Sequence, residues 1–206
     1  MEMLFTSDLH LGHKNILLSR QQFASIDEHD EFIIRQWNKK VHKNDNVYIL
    51  GDLSFRAEHP ISYYLSRMKG KKHLIVGNHD SYWMKHVDEM SAFFDTVEYL
   101  KTIKFDKKLI TLCHYPLLEF PGSRYMEQKS SYLIHGHIHD TKDMEVYGHI
   151  KKYQLHALNA GVDINGFEPV TFEELKENNN FWYQREREDK EEETHSMFDY
   201  FTDGMK

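Results

Sequence analysis

The stretch MLFTSDLHLGH, residues 3–13, sets the architecture of this chain, because an apolar run stops abruptly at a loop of acidic and imidazole side chains. The same design returns in VYILGD, residues 47–52, and in HLIVGNHD, residues 73–80. A short continuous apolar run that ends in glycine and polar residues indicates a strand buried on both faces. These segments therefore predict three buried strands, each followed by a polar loop.

The segments between these strands carry helical patterns. In residues 27–41 apolar side chains recur with helical period, and Asp27 is placed to cap the first turn. Residues 58–69 also favour a helix, which Gly70 would end. This alternation of strand and helix predicts an α/β fold whose functional residues lie at the carboxyl ends of the strands.

Beyond about residue 93 the pattern changes to strands without intervening helices. Residues 96–105 and 108–113, separated by a two-residue turn, predict an antiparallel hairpin. Residues 132–134 and 155–159 predict further strands. The second half is therefore expected to form mixed or antiparallel β-structure, as a second sheet packed on the first.

The bulk composition is typical of one globular domain. The chain has 206 residues, of which 40% are hydrophobic and 14% aromatic, and a chain of this length usually builds a single core. Its apolar runs are shorter than the roughly 20 residues that span a bilayer, and its first residues lack the apolar core of a signal peptide. Cys113 is the only cysteine, which excludes an internal disulfide. We therefore expect a cytoplasmic protein without a membrane segment.

The composition shifts near the C-terminus. Residues 185–193 are an unbroken run of charged side chains without any apolar period. Such a run favours a solvated helix or tail over a packed element. We therefore expect one domain over residues 1–183 and a charged C-terminal tail or helix over residues 184–206.

Charge and histidine content indicate the class of ligand. The formal net charge of −7 disfavours an extended nucleic-acid surface, because such surfaces neutralise many phosphates with lysine and arginine. The chain also carries 15 histidines, and histidine is the commonest metal ligand and the usual proton-transfer group near neutral pH. The positions of these histidines therefore matter more than their number.

Five short blocks place residues of metal-ligand type directly after predicted strands. In chain order they are Asp8-Leu9-His10, Gly51-Asp52, Gly77-Asn78-His79-Asp80, Cys113-His114 and Gly136-His137-Ile138-His139. The donors are carboxylate and amide oxygen together with imidazole nitrogen. This mixture suits Mn²⁺, Fe²⁺, Zn²⁺ or Ni²⁺ better than a thiolate zinc site or an all-oxygen calcium site.

Taken together, the five blocks resemble the calcineurin-like metallophosphoesterase superfamily, whose pattern is D-x-H, G-D, G-N-H-D/E, H and G-H-x-H. All five occur in this order over residues 8–139, and residues 6–13 are similar to the small bacterial and phage-type members. One block alone would carry little information, whereas the ordered set is specific. The resemblance implies a four-layer α/β/β/α sandwich with two mixed β-sheets. It also implies two divalent transition-metal ions, manganese ahead of iron, zinc or nickel.

The resemblance assigns roles to individual residues. Seven of them share the role of metal ligand, with one residue bridging both ions: Asp8, His10, Asp52 and His139 for the first ion, and Asp52, Asn78, His114 and His137 for the second. His79 would hydrogen-bond a phosphate oxygen or protonate the leaving group, and Asp80 would orient its imidazole. Two divalent ions against only two anionic ligands leave a positive surplus that attracts phosphate.

The reaction implied by the resemblance is hydrolysis of a phosphomonoester or phosphodiester by in-line attack of a metal-bound hydroxide. The enzyme would thus be a phosphatase or a phosphodiesterase. The alternative from another functional class is a catalytically inactive metallophosphoesterase fold that serves as a binding scaffold. Such scaffolds arise in the superfamily when ligand positions decay, and every ligand position is present in this sequence.

Three further residues are candidates for contact with substrate or for support of the ligands. They are His13, three residues beyond His10, Arg56, shortly after Asp52, and Arg124, between His114 and His137. An arginine at the mouth of the site could bind a non-bridging phosphate oxygen. The expected substrate is a small phosphoester or a nucleotide, but its identity and the oligomeric state depend on loops that one sequence leaves open.

Overall fold

The computed structural model of the protein describes residues 1–87, 90–124, 130–141, 145–153 and 156–184. Of the predicted C-terminal tail, residues 185–206 therefore lie outside the described part. The strands are β1 (Met3–Thr6), β2 (Asn46–Ile49), β3 (Lys71–Ile75), β4 (Thr96–Glu98), β5 (Leu100–Phe105), β6 (Lys108–Cys113), β7 (Ser131–His135), β8 (Ala157–Asn159) and β9 (Val170–Thr171). The helices are α1 (Ile26–Lys40), α2 (Ile61–Leu65), α3 (Asp80–Met84), α4 (Glu145–Tyr153) and α5, over residues 172–184.

The strands form two sheets, and both are mixed. The first has the order β4-β3-β2-β1-β9, in which β1 to β4 are parallel and β9 is antiparallel to β1. The second has the order β5-β6-β7-β8, in which β5 is antiparallel to β6 and the other pairs are parallel. The predicted pair of mixed sheets is confirmed.

Successive side chains of the central strands enter different cores, because side chains alternate across a strand. On β1, Leu4 packs in one core with Trp37 of α1, whereas Phe5 packs in a second core with Ile134 of the other sheet. Both faces of β1 are thus covered, which explains why its sequence is a continuous apolar run.

The second sheet is covered on its outer face as well. Leu133 of β7 packs in a third core with Tyr147 of α4 and Trp182 of α5. The order of layers is therefore helix, sheet, sheet and helix, which confirms the predicted four-layer sandwich. Within the described ranges, no helix is long and apolar enough to cross a bilayer.

Helix α1 anchors the first layer through a fully buried tryptophan. Trp37 has 0% exposure, and its indole N–H donates to the carbonyl oxygen of Lys69 at 2.9 Å. The cap of this helix differs from the expected Asp27: the hydroxyl of Ser25 accepts from the amide of Glu28 at 3.2 Å. Serine is a preferred N-cap residue because its short side chain reaches the free amides of the first turn.

We predict that Trp37→Ala lowers the free energy of unfolding by about 3 to 5 kcal/mol, because it removes a large buried side chain and leaves a cavity. Urea unfolding followed by circular dichroism measures this change. Phe181→Ala, at a side chain with 63% exposure, is the matched control and should change stability little. A loss below about 1 kcal/mol for Trp37→Ala would contradict this packing.

One predicted strand is divided between the two sheets. Residues 96–98 form β4 beside β3 in the first sheet, whereas residues 100–105 form β5 beside β6 in the second. The predicted hairpin is confirmed for β5 and β6, whose two turn residues, Asp106 and Lys107, both have positive φ. Such a turn matches the twist of the paired strands. The apolar pattern of residues 96–105 predicts an extended conformation. It does not indicate which strand each part pairs with.

The helices also differ in extent from the predictions. Of residues 58–69, only Ile61–Leu65 form a helix, which starts after Pro60. Helices α4 and α5 were not predicted. Both of these helices cover the outer face of the second sheet. Their apolar residues form the core between this sheet and the outer helical layer.

Candidate metal centre

Every predicted ligand follows the carboxyl end of a parallel strand, and these ends meet at one edge of each sheet. Asp8 and His10 follow β1, Asp52 follows β2, Asn78 follows β3, His114 follows β6, and His137 and His139 follow β7. A backbone bridge between Ser7 and Gly161 joins the two sheets at this edge. The topology therefore brings residues separated by up to 131 positions, since 139 − 8 = 131, into one cluster.

The first group consists of Asp8, His10 and His139. One donor atom from each residue lies within 4.8 Å of the others, and the Nε2 atoms of the two histidines are 3.2 Å apart. The carboxylate of Asp8 accepts the backbone N–H of His137 at 3.0 Å. This contact ties the loop after β1 to the loop after β7.

The second group consists of Asp52, His114 and His137, with donor atoms again within 4.8 Å of one another. Asn78 completes it, because its Oδ1 lies 2.9 Å from His114 Nε2 and 3.0 Å from His137 Nδ1. Three strands of one sheet and two of the other thus contribute to the two groups. Their roles as ligands stay a prediction.

The carboxylate of Asp52 lies between the two groups. Its Oδ2 is 3.8 Å from His10 Nε2, in the first group, and 3.6 Å from His114 Nε2, in the second. Its Oδ1 accepts the backbone N–H of His79 at 2.9 Å, which holds the carboxylate in place. This is the position that a bridging ligand requires.

Backbone strain is concentrated in these loops. Five of the seven predicted ligands have positive φ between 49° and 75°, a region that non-glycine residues seldom adopt; they are Asp8, His10, Asp52, His137 and His139. Each such residue costs on the order of 1 to 3 kcal/mol and persists where the surrounding structure enforces it. Strain at so many neighbouring positions is typical of a functional site.

Two glycines permit the close approach of the loops. A Cβ on Gly136 would lie 1.8 Å from Ser7 Oγ and 2.7 Å from Asp8 Oδ2. A Cβ on Gly51 would lie 2.4 Å from His114 Nδ1, and its φ of +86° also favours glycine. Gly51 and Gly136 are therefore required for the ligands to meet.

Burial sets the protonation of several ligands. Burial, with the neighbouring His139, lowers the pKa of His10 well below its ordinary value, and burial, with His114, also lowers the pKa of His137. Both imidazoles are therefore neutral near pH 7, the form that binds a metal. Burial raises the pKa of the Asp8 carboxyl, because a buried carboxylate is costly without a nearby cation.

His79 lies at the mouth of the cluster. Its ring is half-buried, with its centroid 4.3 Å from that of Phe55, and its Nε2 lies 3.8 Å from Asp52 Oδ2. It belongs to neither ligand group. Its role towards a bound molecule stays a prediction.

The predicted role of Asp80 needs correction. Its buried carboxylate accepts the backbone N–H groups of Gly77, Asp52 and Leu53 at 2.8 to 3.0 Å and the indole N–H of Trp83 at 2.9 Å. Its oxygens are therefore directed at the backbone and not at the imidazole of His79. The contacts of Asp80 therefore hold the loop that carries Asp52 in position.

The three candidate contact residues fall into different places. His13 lies beside the cluster, with Nδ1 3.2 Å from His10 Nδ1. Arg56 is exposed, and its guanidinium lies 5.0 Å from the ring of Phe55, which in turn contacts His79. Both lie near His79, and their contact with a substrate stays a prediction.

Arg124 contacts an acidic residue and neither ligand group. Its side chain is 76% exposed, and its guanidinium forms a salt bridge with Glu119 at 2.9 Å. The positive charge expected to meet a phosphate is thus directed at a carboxylate five positions earlier in the chain. Among the candidates for substrate contact, His13 and Arg56 remain.

A buried network supports the first group, and the sequence did not reveal it. Arg20, 1% exposed, donates from Nε and Nη2 to the two carboxylate oxygens of Asp163 at 2.7 and 2.9 Å. It also donates to the carbonyl oxygens of Asp8 and Leu9 at 2.6 and 3.1 Å. Asp163 lies 3.0 Å from His139 Nδ1. Arg20 therefore links the strained loop after β1 to the residue that orients His139.

The contact between Asp163 and His139 determines which imidazole nitrogen is free. Because a carboxylate only accepts, Nδ1 of His139 carries a proton, and in the neutral imidazole the lone pair of Nε2 faces His10. Burial opposes the charged imidazolium, but the hydrogen bond to Asp163 and the charge of Asp8 outweigh it and raise the pKa of His139. Asp163 follows β8, so the strand-end pattern could have identified it.

We predict that Asp163→Asn weakens binding of Mn²⁺ by about 10- to 100-fold, because the amide no longer fixes the orientation and basicity of His139. Isothermal titration calorimetry of the metal-free protein measures the affinity. Asp106→Asn, at the exposed turn between β5 and β6, is the control. An unchanged affinity in Asp163→Asn would show that this contact does not support a metal ligand.

Comparisons with known proteins agree with the resemblance described above and with the fold. Residues 1–163 match the calcineurin-like phosphoesterase superfamily domain. The gene 66 protein of Mycobacterium phage L5 is 30% identical, over 79% of this chain and 86% of that protein. An uncharacterized protein of Methanocaldococcus jannaschii is 28% identical, over 81% and 85% of the two chains.

A solved structure shows the same architecture. The crystal structure of a protein of unknown function from Aquifex aeolicus superposes with a TM-score of 0.63 at 27% identity, covering 85% of this chain and 97% of that one. The matched family segment includes every predicted ligand, from Asp8 to His139, and ends at Asp163. Family match, layer order and strand-end cluster lead to one conclusion: the chain belongs to the calcineurin-like phosphoesterase superfamily.

Proposed function

We propose that this protein is a dinuclear metal-dependent phosphoesterase that hydrolyses phosphomonoester or phosphodiester bonds. The observation that carries the proposal is the position of Asp52, whose Oδ2 lies within 3.8 Å of a histidine nitrogen from each ligand group. Two groups that share one central carboxylate are suited to two ions. Family membership supports the reaction class.

The residues present fit such a pair of ions. Each group combines buried carboxylate with imidazole, and Asn78 adds an amide oxygen to the second. The imidazoles of buried His10 and half-buried His137 are neutral, and the carboxylate of Asp8 is unfavourable without a cation. Oxygen and nitrogen donors without thiolate suit Mn²⁺ first, and also Fe²⁺, Zn²⁺ or Ni²⁺.

When bound, two divalent ions would lower the pKa of a water molecule and stabilise the attacking and leaving oxygens. The chain supplies the remaining functions. His79, half-buried at the mouth, donates a hydrogen bond to a phosphate oxygen or a proton to the leaving oxygen. Arg56 offers a positive charge to a non-bridging oxygen. Asp80 and Asp163 hold Asp52 and His139 in position.

The proposed substrate is a small phosphoester or a nucleotide. The net charge of −7 disfavours a long nucleic-acid strand. A local cluster of cations on an acidic protein still attracts phosphate, because a bound ion is the largest charge in its neighbourhood. Whether the protein prefers monoesters or diesters depends on the residues that surround the metal centre.

A panel of aryl and alkyl phosphomonoesters and phosphodiesters, assayed with Mn²⁺ and after chelation, tests the proposal. Hydrolysis that requires the metal is the expected result. The control is His42→Ala, an exposed residue that precedes β2 at the amino end of that strand, opposite the centre. If folded protein loaded with Mn²⁺ hydrolyses no substrate of the panel, the proposed enzymatic function is wrong. The alternative, a catalytically inactive binding scaffold, is then favoured.

A further inference from the structure

A cavity of about 510 Å³ opens beside the second ligand group. The segment 115–118, which follows β6, forms one wall, and helix α4 forms the other. His137, a predicted ligand, is part of the lining. A volume of this size is typical of a site for a small organic molecule.

The cavity is continuous with the candidate metal centre. His137 Nδ1 lies 3.0 Å from Asn78 Oδ1, within the second group, while the same residue lines the cavity. The ring of Tyr115 lies 4.8 Å from that of His137 and 5.0 Å from that of His114. A molecule whose phosphate is held at the second group can therefore extend into the cavity.

The chemistry of the walls is mainly apolar. Leu118, Val146 and Tyr115 are 71%, 40% and 44% exposed, which is unusual for large hydrophobic side chains that lie close together. Leu117 and Ile150 extend the same surface. Covering these side chains with an apolar group removes hydrophobic surface from water and stabilises the complex.

Among the described lining residues, a carboxylate selects against a second anion. Glu145, at the start of α4, places a carboxylate at the cavity, and His149 lies one helical turn further along the same helix. A substrate with additional phosphates on this side would be repelled by Glu145. The cavity therefore suits an uncharged ring whose polar atoms can meet these two side chains.

A second cavity, of about 560 Å³, is a weaker candidate for the same role. Among the described residues that line it are Ser54, Tyr82 and Trp83, but neither a predicted ligand nor His79. A molecule bound in this second cavity would not touch a residue of either ligand group, because none of them lines it. The cavity that contains His137 is therefore the one joined to the chemistry.

We propose that the cavity between residues 115–118 and α4 binds the organic group of the substrate, and that this group is an uncharged aromatic ring. The inference rests on the proposed function, because it places the phosphate at the metal centre. It adds the substrate class: a phosphoester of an aromatic or nucleobase-like group, without further phosphates on that side.

Non-hydrolysable phosphonates test this inference directly, because methylphosphonate and phenylphosphonate share the anionic head and differ in the organic group. Calorimetric titration of the Mn²⁺-loaded protein should show that phenylphosphonate binds at least about tenfold more tightly, as expected for burial of one ring. In the double variant Leu118→Ser, Val146→Ser this ratio should fall below about threefold, with methylphosphonate affinity unchanged. Both positions are exposed, so the fold should be retained.

The control is Leu18→Ser, at a side chain that is 79% exposed and outside the cavity lining; it should keep the wild-type ratio. Equal binding of the two phosphonates to wild type, or a ratio that survives in the double variant, would overturn the inference and leave the proposed function standing. If neither phosphonate binds and no phosphoester is hydrolysed, the proposed function fails first.

Discussion

Asp52→Asn is expected to remove hydrolysis and to weaken Mn²⁺ binding at both positions together. The substitution keeps the size of the side chain but removes the charge that lies between His10 and His114. Loss of a residue that only supports a ligand typically costs 10- to 100-fold in affinity, so loss of a shared ligand should cost more than about 100-fold. Metal content after dialysis and calorimetric affinity measure the first effect, and steady-state kinetics measures the second.

The same experiment needs a control for lost structure. Asp106→Asn, at the exposed turn, should retain metal and activity, and circular dichroism of metal-free Asp52→Asn should match that of the wild type. Two tightly bound ions in folded Asp52→Asn would exclude this residue as a bridge. Loss of only one ion would also contradict the bridging role, because the carboxylate would then serve one group alone.

His79→Ala is expected to lower turnover by about 10²- to 10⁴-fold, the usual contribution of a general acid. Metal content should remain that of the wild type, because His79 belongs to neither ligand group. The pair of variants therefore separates the two roles: Asp52→Asn loses metal and activity, whereas His79→Ala loses activity alone.

The leaving group reveals what His79 does. If it protonates the leaving oxygen, the loss in kcat should be much larger for alkyl phosphoesters, whose leaving groups are strongly basic, than for 4-nitrophenyl esters. An equal loss for both would favour a hydrogen bond to a phosphate oxygen. His42→Ala is again the matched control. Unchanged turnover with both classes of substrate would remove His79 from the mechanism.

The central strands could be predicted because most of their residues are buried. β1, β2 and β3 are buried on both faces, so their sequences are continuous apolar runs that end in glycine or polar residues. The ligand cluster could be predicted for a related reason: the carboxyl ends of parallel strands converge. Asp163 follows the same rule after β8, so the same reasoning applies to it.

Other features depend on contacts that a local pattern does not record. Tyr99 separates two strands that belong to different sheets, and alternation along the chain is the same whichever partner is chosen. Helix α5 carries apolar residues at helical spacing, including Leu175 and Trp182, but the asparagines between them weaken its signal. Arg20 contacts a residue 143 positions away, so its spacing carries no information about its role.

Two predicted site residues direct their side chains elsewhere than the sequence suggested. Asp80 directly follows His79 in the chain, but as the first residue of α3 it turns its carboxylate to backbone amides. Arg124 lies between two ligand blocks, yet Glu119 is near enough to pair with it on the surface. Proximity along the chain indicates where a residue lies and not where its side chain points.

The most direct test of the account is the metal stoichiometry of the purified chain. Metal-free protein titrated with Mn²⁺ and followed by electron paramagnetic resonance should bind two ions per chain. Its spectrum should be that of a magnetically coupled pair, as expected for ions roughly 3.5 to 4 Å apart on a shared carboxylate. One ion per chain, or two ions with the spectrum of isolated Mn²⁺, would contradict a dinuclear centre bridged by Asp52.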